Sequence, residues 1–350
     1  MIERRKTRTV KIGSLCIGSK NKIAVQSMLN IPAHDVEGNV RQAIELEKAG
    51  CEIVRLTVPD TAAAKTLHAV KEAVKMPVVA DIHFDYRCAL ESIAAGADKI
   101  RINPGNIGDD DKVKAVADAC RLHGVPIRIG VNSGSLEKDI LAKYGSPTPE
   151  ALCESALYHI SLLEKFEFND IVVSIKSSDV QRMVASYRML AKQCDYPLHL
   201  GVTEAGTHNM ALIKSSIGIG SLLLDGIGDT IRVSMTDNPV KEVKAGFDIL
   251  QGAGVKTDCV KLVSCPTCGR TKIDLISLAT QIEEALEKCD KQITVAVMGC
   301  VVNGPGEAKE ADIGVAGGDG CGVLFKHGEV LRKVSEEEIV SELLKEIDRM

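Results

Sequence analysis

The sequence contains no tryptophan and few aromatic residues, which make up 3% of its 350 positions. It also lacks a basic excess, because its formal net charge is −5 at pH 7. Proteins that bind nucleic acid usually combine a positively charged face with aromatic side chains on which bases stack. Since both features are weak here, we expect no nucleic-acid partner.

A long hydrophobic run is also missing. No stretch of about 18 apolar residues occurs, so we expect no membrane span. The first residues, MIERRK, lead into no apolar segment, so we expect no secretory signal. Twelve cysteines in such a chain favour a reducing compartment, where thiols stay free. The sequence therefore predicts a cytoplasmic protein.

Most of the cysteines stand singly in apolar segments, which favours small buried side chains over ligands. These are Cys16, Cys51, Cys88, Cys120, Cys153 and Cys194. Three others, Cys259, Cys289 and Cys321, remain candidate ligands, because they share the C-terminal third with a cysteine motif.

That motif is Cys265-Pro-Thr-Cys268, followed one predicted strand–helix–strand unit later by Cys300. Two cysteines at this spacing can present both sulfurs on one turn, and a third on another loop can complete a soft-metal site. The pair alone fits zinc and an iron–sulfur cluster equally well, and a redox dithiol is a third alternative. The glycine-rich loop after Cys300, which ends in Glu307, favours the cluster, because a zinc ribbon would more simply repeat the pair.

Short apolar segments alternate with stretches of helical periodicity through the first two thirds of the chain. This alternation predicts βαβ units and a parallel sheet. Eight such units within about 220 residues match a TIM (β/α)8 barrel. The alternative is an open doubly wound sheet, but no Gly-x-Gly-x-x-Gly follows the first segment. The predicted strands are 22–28, 52–58, 77–84, 99–103, 126–132, 170–176, 197–203 and 230–235.

A linker at 251–257 separates two expected domains. Residues 1–252 are predicted to form the barrel, and residues 258–350 a small α/β domain that holds the cysteine motif in its loops. The predicted strands of the second domain are 260–263, 293–298 and 313–316, followed by a hairpin-like segment at 322–325. Its predicted helices are 273–288 and 335–348, the latter starting with a capping box, Ser335-Glu-Glu-Glu338.

Cationic residues recur toward the C-terminal ends of five predicted strands, where barrel enzymes place their sites. They are Arg55, Arg101, Arg128, Lys176 and Arg232, with Asn132 and Ser234 following on two of these strands. Residues two apart lie on one strand face, so these charges should point into the barrel mouth. One arginine would more often be a structural ion pair, but five cations need an external anion with several charges. A diphosphate fits.

The matching strand ends supply two carboxylates, Asp81, with His83 beside it, and Glu204. Each can pair with the arginines, or it can bind a substrate hydroxyl or transfer a proton. Glu204 shares a predicted strand face with Leu200 and Val202, so we expect it to project into the mouth.

Ten segments match a known family, and the chain resembles the bacterial 4-hydroxy-3-methylbut-2-enyl diphosphate synthases of isoprenoid precursor biosynthesis nearly end to end. They are VQSM (25–28), VRLTVP (54–59), DIHFD (81–85), KIRINPGNIG (99–108), IRIGVNSGSL (127–136), SIKSSD (174–179), GVTEAG (201–206), GIGDTIRVSMTDNP (226–239), SCPTCGRT (264–271) and GCVVNGPGEA (299–308). One departure is Leu29, where the family pattern has threonine. The chain resembles the short two-domain form of the family.

The resemblance implies a [4Fe–4S] cluster held by Cys265, Cys268 and Cys300, with Glu307 as a fourth, displaceable ligand. It implies 2-C-methyl-D-erythritol 2,4-cyclodiphosphate as the substrate, opened by two-electron reduction with loss of water, with flavodoxin or ferredoxin as the electron donor. It also implies a homodimer in which the barrel of one chain faces the cluster domain of the other.

We accordingly predict a substrate site and a set of catalytic residues. The predicted substrate-binding residues are Arg55, His83, Arg101, Arg128, Asn132, Lys176, Arg232, Ser234 and Asn303, and the predicted catalytic residues are Glu204, Asp81 and Glu307. The competing class is a barrel that binds a phosphorylated metabolite and carries a structural zinc ribbon.

Overall fold

The structure is a computed structural model that describes residues 2–134, 136–287, 289, 291–301 and 309–350. The chain divides into two compact units, one ending at Val255 and the other running from Lys256 to Met350. Each unit has its own buried apolar core. Within the described part of the chain, no helix is long and apolar enough to span a membrane.

The first unit is a TIM barrel, as predicted. Eight parallel strands of the described residues pair in chain order, β10 pairs with β3, and a bridge between Val173 and Leu198 joins β8 to β9. The strands are β3 (Ala24–Met28), β4 (Ile53–Thr57), β5 (Val78–Asp81), β6 (Lys99–Ile102), β7 (Ile127–Asn132), β8 (Ile171–Lys176), β9 (His199–Leu200) and β10 (Thr230–Ile231).

Helices follow the strands and cover the outside of the barrel. They are α1 (Val36–Lys48), α2 (Ala64–Ala73), α3 (Tyr86–Ala94), α4 (Asp110–His123), α5 (Lys138–Tyr144), α6 (Pro149–Glu164), α7 (Val180–Leu190), α8 (His208–Leu224) and α9 (Pro239–Gly252). Short 3₁₀ turns lie at Thr61–Ala63 and Pro104–Asn106. The short helix α5 lies in a segment for which no helix was predicted.

Local chemistry explains where several helices begin and end. The side chains of Asp35, Asp109 and Asp179 accept hydrogen bonds from backbone N–H groups in the first turns of α1, α4 and α7. Gly124 ends α4 with a left-handed backbone, φ 65°, which glycine adopts without steric cost. These signals fix where α1, α4 and α7 begin and where α4 ends.

A hairpin that the sequence analysis missed closes the opposite end of the barrel. Strands β1 (Val10–Ile12) and β2 (Leu15–Ile17) pair antiparallel. Ile12 and Ile17 are fully buried in a small core with residues from the first positions of the barrel strands, Ala24 and Ile53 among them. The barrel is therefore open to ligands at the C-terminal rim of its strands.

The predicted strands 197–203 and 230–235 are longer than β9 and β10, which have two residues each. The two chain segments come too close beyond this point for regular pairing. A Cβ atom on Gly201 would lie 2.7 Å from the carbonyl oxygen of Arg232. The regular strands end early here, so the residues that follow are free to turn toward the mouth.

The second unit contains, in its described residues, a five-stranded sheet in the order β11-β12-β13-β14-β15. The first three strands are parallel and the last two are antiparallel to their neighbours. They are β11 (Lys261–Ser264), β12 (Thr294–Met298), β13 (Ile313–Gly318), β14 (Cys321–Lys326) and β15 (Glu329–Ser335). Helices α10 (Leu275–Leu286) and α11 (Ile339–Asp348) pack on this sheet.

Two details of this unit differ from the sequence-based prediction. Strand β15 was missed, because its apolar residues Val330, Leu331 and Val334 do not alternate along the strand. The predicted capping box is wrong: the Ser335 hydroxyl donates to the Glu338 carboxylate at 2.7 Å instead of accepting a backbone N–H. A 3₁₀ turn, Glu336–Glu338, precedes α11, which begins at Ile339.

Candidate active site

A cavity of about 430 Å³ opens at the C-terminal rim of the barrel strands. Eight of the residues predicted to form the site line it, namely Arg55, Asp81, His83, Arg101, Asn132, Lys176, Glu204 and Arg232. The remaining lining residues are Met28, Ser133, Gly134 and Thr203. The volume is that of a small-molecule pocket.

The strand register brings these side chains together. Met28 is in register with Arg55, Asp81 with Arg101, and Asn132 with Lys176. Adjacent residues on parallel strands point to the same side of the sheet, so each pair enters the mouth together. Residues far apart in sequence thus form one polar surface.

Asp81 is the central carboxylate of this surface. Its Oδ1 accepts a hydrogen bond from Arg101 Nη1 at 3.0 Å, and its Oδ2 lies 3.5 Å from Arg55 Nε. Although burial disfavours a charged carboxylate, the cations Arg55 and Arg101 outweigh it and hold the pKa of Asp81 well below its usual range. Asp81 is therefore ionised at neutral pH.

Arg101 reaches Asp81 across a glycine. A Cβ atom on Gly130 would lie 2.5 Å from Arg101 Nε. The guanidinium therefore occupies the space that a side chain at position 130 would fill. Met28 holds the second arginine: its sulfur accepts from Arg55 Nη2 at 2.9 Å. Met28 lies in the quoted segment VQSM, but sequence reasoning gave it no role, because methionine carries no charge signal.

Lys176 lines the cavity, and among the described residues it forms no salt bridge with a carboxylate. Its side chain is 9% exposed. Burial and the nearby arginines Arg55 and Arg232 lower its pKa well below the ordinary value. A cation in this position is stabilised by an anion that enters the mouth.

A buried glutamate positions Arg232. Glu242 on α9 lies 3.5 Å from Arg232 Nη2 and also accepts hydrogen bonds from the Met235 N–H at 3.0 Å and the Ser27 hydroxyl at 3.1 Å. Sequence reasoning missed Glu242, because it lies on a helix and not at a strand end.

Two predicted substrate residues do not line the cavity. Arg128 is fully buried, four residues before Asn132 on β7, and its Nη1 donates to the Ser174 hydroxyl at 2.7 Å. It therefore lies deeper in the barrel interior than Asn132 and does not line the cavity. Ser234 follows the short strand β10 and is half-buried. The predicted Asn303 and Glu307 lie outside the described residues.

Glu204 reaches the mouth, but the reason given from strand alternation is wrong. Val202 packs against α8, since a Cβ atom on Gly218 would lie 2.9 Å from Val202 Cγ2. That face of the strand therefore points outward to the helices. Glu204 turns inward because β9 has already ended and because its own backbone is left-handed, with φ 51°. A non-glycine residue in this conformation is uncommon and concentrates at functional sites.

The cysteine motif lies at the C-terminal ends of two adjacent parallel strands. Cys265 follows β11, Cys300 follows β12, and the Gly299 N–H donates to Cys265 Sγ at 3.2 Å. Cys268 is exposed, and a backbone N–H and the side chain of Arg270 lower its pKa, which favours the thiolate. No group of three metal-ligating side chains is already assembled among the described residues.

The twelve cysteines are all free thiols. The prediction of buried side chains is confirmed for Cys51, Cys88, Cys120 and Cys153. It is wrong for Cys16, which is exposed on the outer face of β2, and Cys194 is half-buried. Burial raises the pKa of Cys51 to about 12, so this thiol is a poor ligand.

Residues 7–247 match the family described as the GcpE TIM-barrel domain, and residues 261–349 match the GcpE protein C-terminal domain. The chain belongs to the GcpE family. Both domains of the family are thus present in the sequence. The segment between the two matches contains the boundary of the two compact units.

Curated GcpE relatives are similar over the whole chain. One from Clostridium acetobutylicum is 58% identical over 100% of both chains, and one from Fusobacterium nucleatum is 57% identical over 98% of this chain and 97% of its own. One from Geobacillus thermodenitrificans is 55% identical over 100% of this chain and 94% of its own. Each is named 4-hydroxy-3-methylbut-2-en-1-yl diphosphate synthase (flavodoxin).

Among solved structures, the GcpE barrel is similar to a dihydropteroate synthase from Xanthomonas albilineans, with a TM-score of 0.51 and 13% identity over 70% of this chain and 96% of that chain. An N-acetylneuraminic acid synthetase from Leptospira borgpetersenii gives a TM-score of 0.50 and 13% identity over 71% of this chain and 90% of that chain. At this identity the likeness shows the barrel fold alone.

Proposed function

We propose that the chain is a 4-hydroxy-3-methylbut-2-en-1-yl diphosphate synthase. It opens 2-C-methyl-D-erythritol 2,4-cyclodiphosphate by reduction: two electrons and protons enter, one C–O bond to phosphate and one to a hydroxyl break, and water leaves. The full-length relatives support this reaction. The observation on the chain itself that carries the proposal is the cationic cavity at the barrel mouth.

The charges of the cavity match a diphosphate. Arg55, Arg101, Lys176 and Arg232 line it, and Asp81 is shared by two of them. Glu242 lies against Arg232, so two carboxylates contact three of the four cations. The cations still outnumber these partners in a buried site, so a multiply charged anion is the natural ligand. Asn132 adds an amide for hydrogen bonding at the same rim. Arg128, which is buried deeper in the barrel, adds positive charge beneath the cavity.

Glu204 is the better proton donor of the two predicted carboxyls. The leaving hydroxyl must depart as water, which requires a proton. Asp81 is held ionised by Arg55 and Arg101, so it positions cations instead of donating a proton. Glu204 is exposed at the rim of the cavity and is positioned by its left-handed backbone. His83 lines the same rim and can bind a substrate hydroxyl.

Cys265, Cys268 and Cys300 would hold a [4Fe–4S] cluster. They fit it because they follow two adjacent parallel strands. The lowered pKa of Cys268 favours its thiolate, and Cys265 Sγ already accepts a backbone N–H. When bound, the cluster would supply low-potential electrons and a Lewis acid for the departing oxygen. Glu307, the expected fourth ligand, and Asn303, an expected substrate contact, lie outside the described residues.

We propose flavodoxin as the electron donor, because the curated relatives carry it in their names.

We also propose a cytoplasmic location, because all twelve cysteines are free thiols, which fits a reducing compartment.

We also propose a homodimer in which the barrel mouth of one chain meets the cluster domain of its partner. Helix α9 follows the strand end at the mouth and runs back along the barrel, so the chain leaves the barrel at the end opposite the cavity. Helix α8 exposes a row of apolar side chains suited to a second copy: Met210, Ile213, Ile217 and Leu224.

Complementation tests this arrangement. A Glu204→Gln chain and a Cys300→Ser chain, each inactive alone, are mixed and allowed to exchange. In a shared site each mixed dimer keeps one intact site, so about a quarter of wild-type activity returns. No recovery in confirmed mixed dimers would mean that each chain works alone.

Anaerobic purification tests the cofactor and separates the two function classes. The proposal predicts a brown protein with about four iron atoms and matching sulfide per chain, bleached by dithionite. A colourless protein that holds zinc and binds the cyclic diphosphate without consuming it would support the alternative of a metabolite-binding barrel with a structural zinc ribbon.

A further inference from the structure

A lysine with no assigned role lies beneath the cavity. Lys99 opens strand β6, two residues before Arg101 and in register with Val79 of β5. Val79 packs with the hairpin that closes the barrel, so Lys99 lies at the deep end of the interior. Its side chain is fully buried.

Among the residues that the structure describes, Lys99 has no partner that would stabilise a positive charge. Within the described part of the chain, its Nζ makes no hydrogen bond. The carboxylates near that end of the barrel are engaged elsewhere: Asp98 with Lys71 at 2.6 Å, and Asp229 with Arg4 at 2.8 Å. Above it, Asp81 is held by Arg55 and Arg101.

The charged groups that act on Lys99 are cations. Burial, then Arg128 on β7 and Arg55 on β4, lower its pKa well below the ordinary value. His199 on β9 is buried in the same field, and its pKa is lowered for the same reasons. Its Nδ1 contacts the Thr230 hydroxyl at 2.8 Å, and its Nε2 makes no hydrogen bond within the described residues.

An anion in the mouth changes this balance. Two residues of strand span about 7 Å, so Lys99 is roughly one such step below the level of Arg101. In a protein interior the effective dielectric constant is far below that of water, so a dianion at this range strongly favours a cation. The ligand thereby offsets the field of the arginines around Lys99.

We propose that Lys99 is uncharged while the mouth is empty and takes up a proton when the cyclic diphosphate binds. The inference rests on the proposed function, because it requires that anion in the cavity. By taking up this proton, Lys99 matches the charge of the barrel to the charge of the ligand. Lys99 is therefore a positioning residue, which does not contact the ligand.

The ligand itself supplies no competing proton. Each phosphorus of a cyclic diphosphate carries one acidic oxygen, which is fully ionised near neutral pH. Any proton taken up on binding therefore enters the protein, and calorimetry can count it. Heats of binding measured in two buffers differ by the number of protons exchanged multiplied by the difference between the ionisation enthalpies of the buffers.

The test uses the cluster-loaded full chain without reductant, so that no turnover occurs, titrated with the cyclic diphosphate at about pH 8. Wild type should take up about half to one proton per site. Lys99→Met and Lys99→Gln should remove most of that uptake, and their affinity should depend less on pH. The matched control is Lys165→Met, an exposed lysine of the same barrel, which should behave as wild type.

Binding without proton uptake in wild type would overturn this inference and leave the proposed function standing. Uptake that persists in both Lys99 variants would also overturn it, because the proton would then belong to Lys176 or His199. Loss of folding in both variants would contradict it as well, since an uncharged amine without partners is replaced by a similar neutral side chain at small cost. Absence of any binding would overturn the proposed function together with the inference.

Discussion

At the scale of residues, the interior of this barrel is unusual. Barrel interiors are normally filled by layers of branched apolar side chains. Here Arg55, Asp81, Arg101 and Arg128 are buried inside, together with Lys99. Ion pairs satisfy part of this charge, and the remaining positive charge is the physical basis for anion binding. Burying these charges lowers the stability of the folded protein, and binding of an anionic ligand raises it again.

Loss of one cavity cation should weaken substrate binding. Lys176→Met removes a cation without leaving a buried carboxylate unpaired. Charge-assisted contacts are worth about 1.5–3 kcal/mol, so the dissociation constant should rise roughly tenfold to a hundredfold. Calorimetry with the cyclic diphosphate measures this, and the difference from wild type should shrink at high salt. Lys165→Met, an exposed lysine, is the control; unchanged affinity in the Lys176 variant would count against the site.

Replacement of the proposed proton donor should separate turnover from binding. Glu204→Gln should keep the fold, the cluster and near-normal affinity, while turnover falls by about a hundredfold or more. The control is Glu167→Gln, because Glu167 is also an exposed glutamate with a left-handed backbone, φ 56°, but precedes β8 at the other end of the barrel. Near-normal turnover in Glu204→Gln would eliminate the proton role.

At the scale of elements, the N-terminal hairpin fills the closed end of the barrel. Ile12 is fully buried there, whereas its neighbour Lys11 is exposed. Ile12→Ala should destabilise the barrel by about 2–5 kcal/mol, because it leaves a cavity among packed side chains. Lys11→Ala should change stability by less than about 0.5 kcal/mol. Chemical denaturation of both variants provides the comparison, and equal stabilities would show that the hairpin contributes little.

The loops after β11 and β12 should hold the cluster. Replacing Cys265, Cys268 or Cys300 by serine should abolish cluster assembly, because each removes one of three thiolates. Cys321→Ser, at the turn between β13 and β14, is the control and should keep it. Iron and sulfide content after anaerobic reconstitution decides between these outcomes. A full cluster in any of the first three variants would refute that ligand assignment.

Sequence patterns predicted the elements where the signal is local or repeated. Alternating strands and helices predicted the barrel, and cations near the strand ends predicted most of the mouth. The alternation of side chains along a strand predicts which face a residue lies on. It does not predict how deep the residue lies along the barrel axis, which depends on the stagger of the strands. Arg128 therefore proved to lie below the cavity, although it follows the same pattern as Arg101.

Other features depend on tertiary contacts that no short pattern reports. The strands VKI and LCI are too short to be distinguished from loops, and they are stable because they pack under the barrel. Glu242 positions Arg232 from a helix, at a distance in sequence that gives no signal. Glu204 reaches the mouth through a backbone turn, where alternation points the other way.

At the scale of the whole molecule, the proposed function assigns different halves of one reaction to the two units. The barrel offers cations and a carboxyl for an anionic substrate, and the second unit offers thiolates for a redox cluster. Neither half can remove an oxygen from carbon alone, because the step needs a held substrate, electrons and a proton together. We propose that together they carry out a reductive ring opening.

Product formation tests that claim most directly. The cluster-loaded chain is given the cyclic diphosphate and reduced flavodoxin under strict anaerobiosis, and the phosphorus species are followed by NMR and mass spectrometry. We expect the cyclic diphosphate to disappear and 4-hydroxy-3-methylbut-2-enyl diphosphate to accumulate, with two electrons consumed per molecule. A chain that carries the full cluster and binds the substrate, yet leaves it intact while flavodoxin stays reduced, would contradict it.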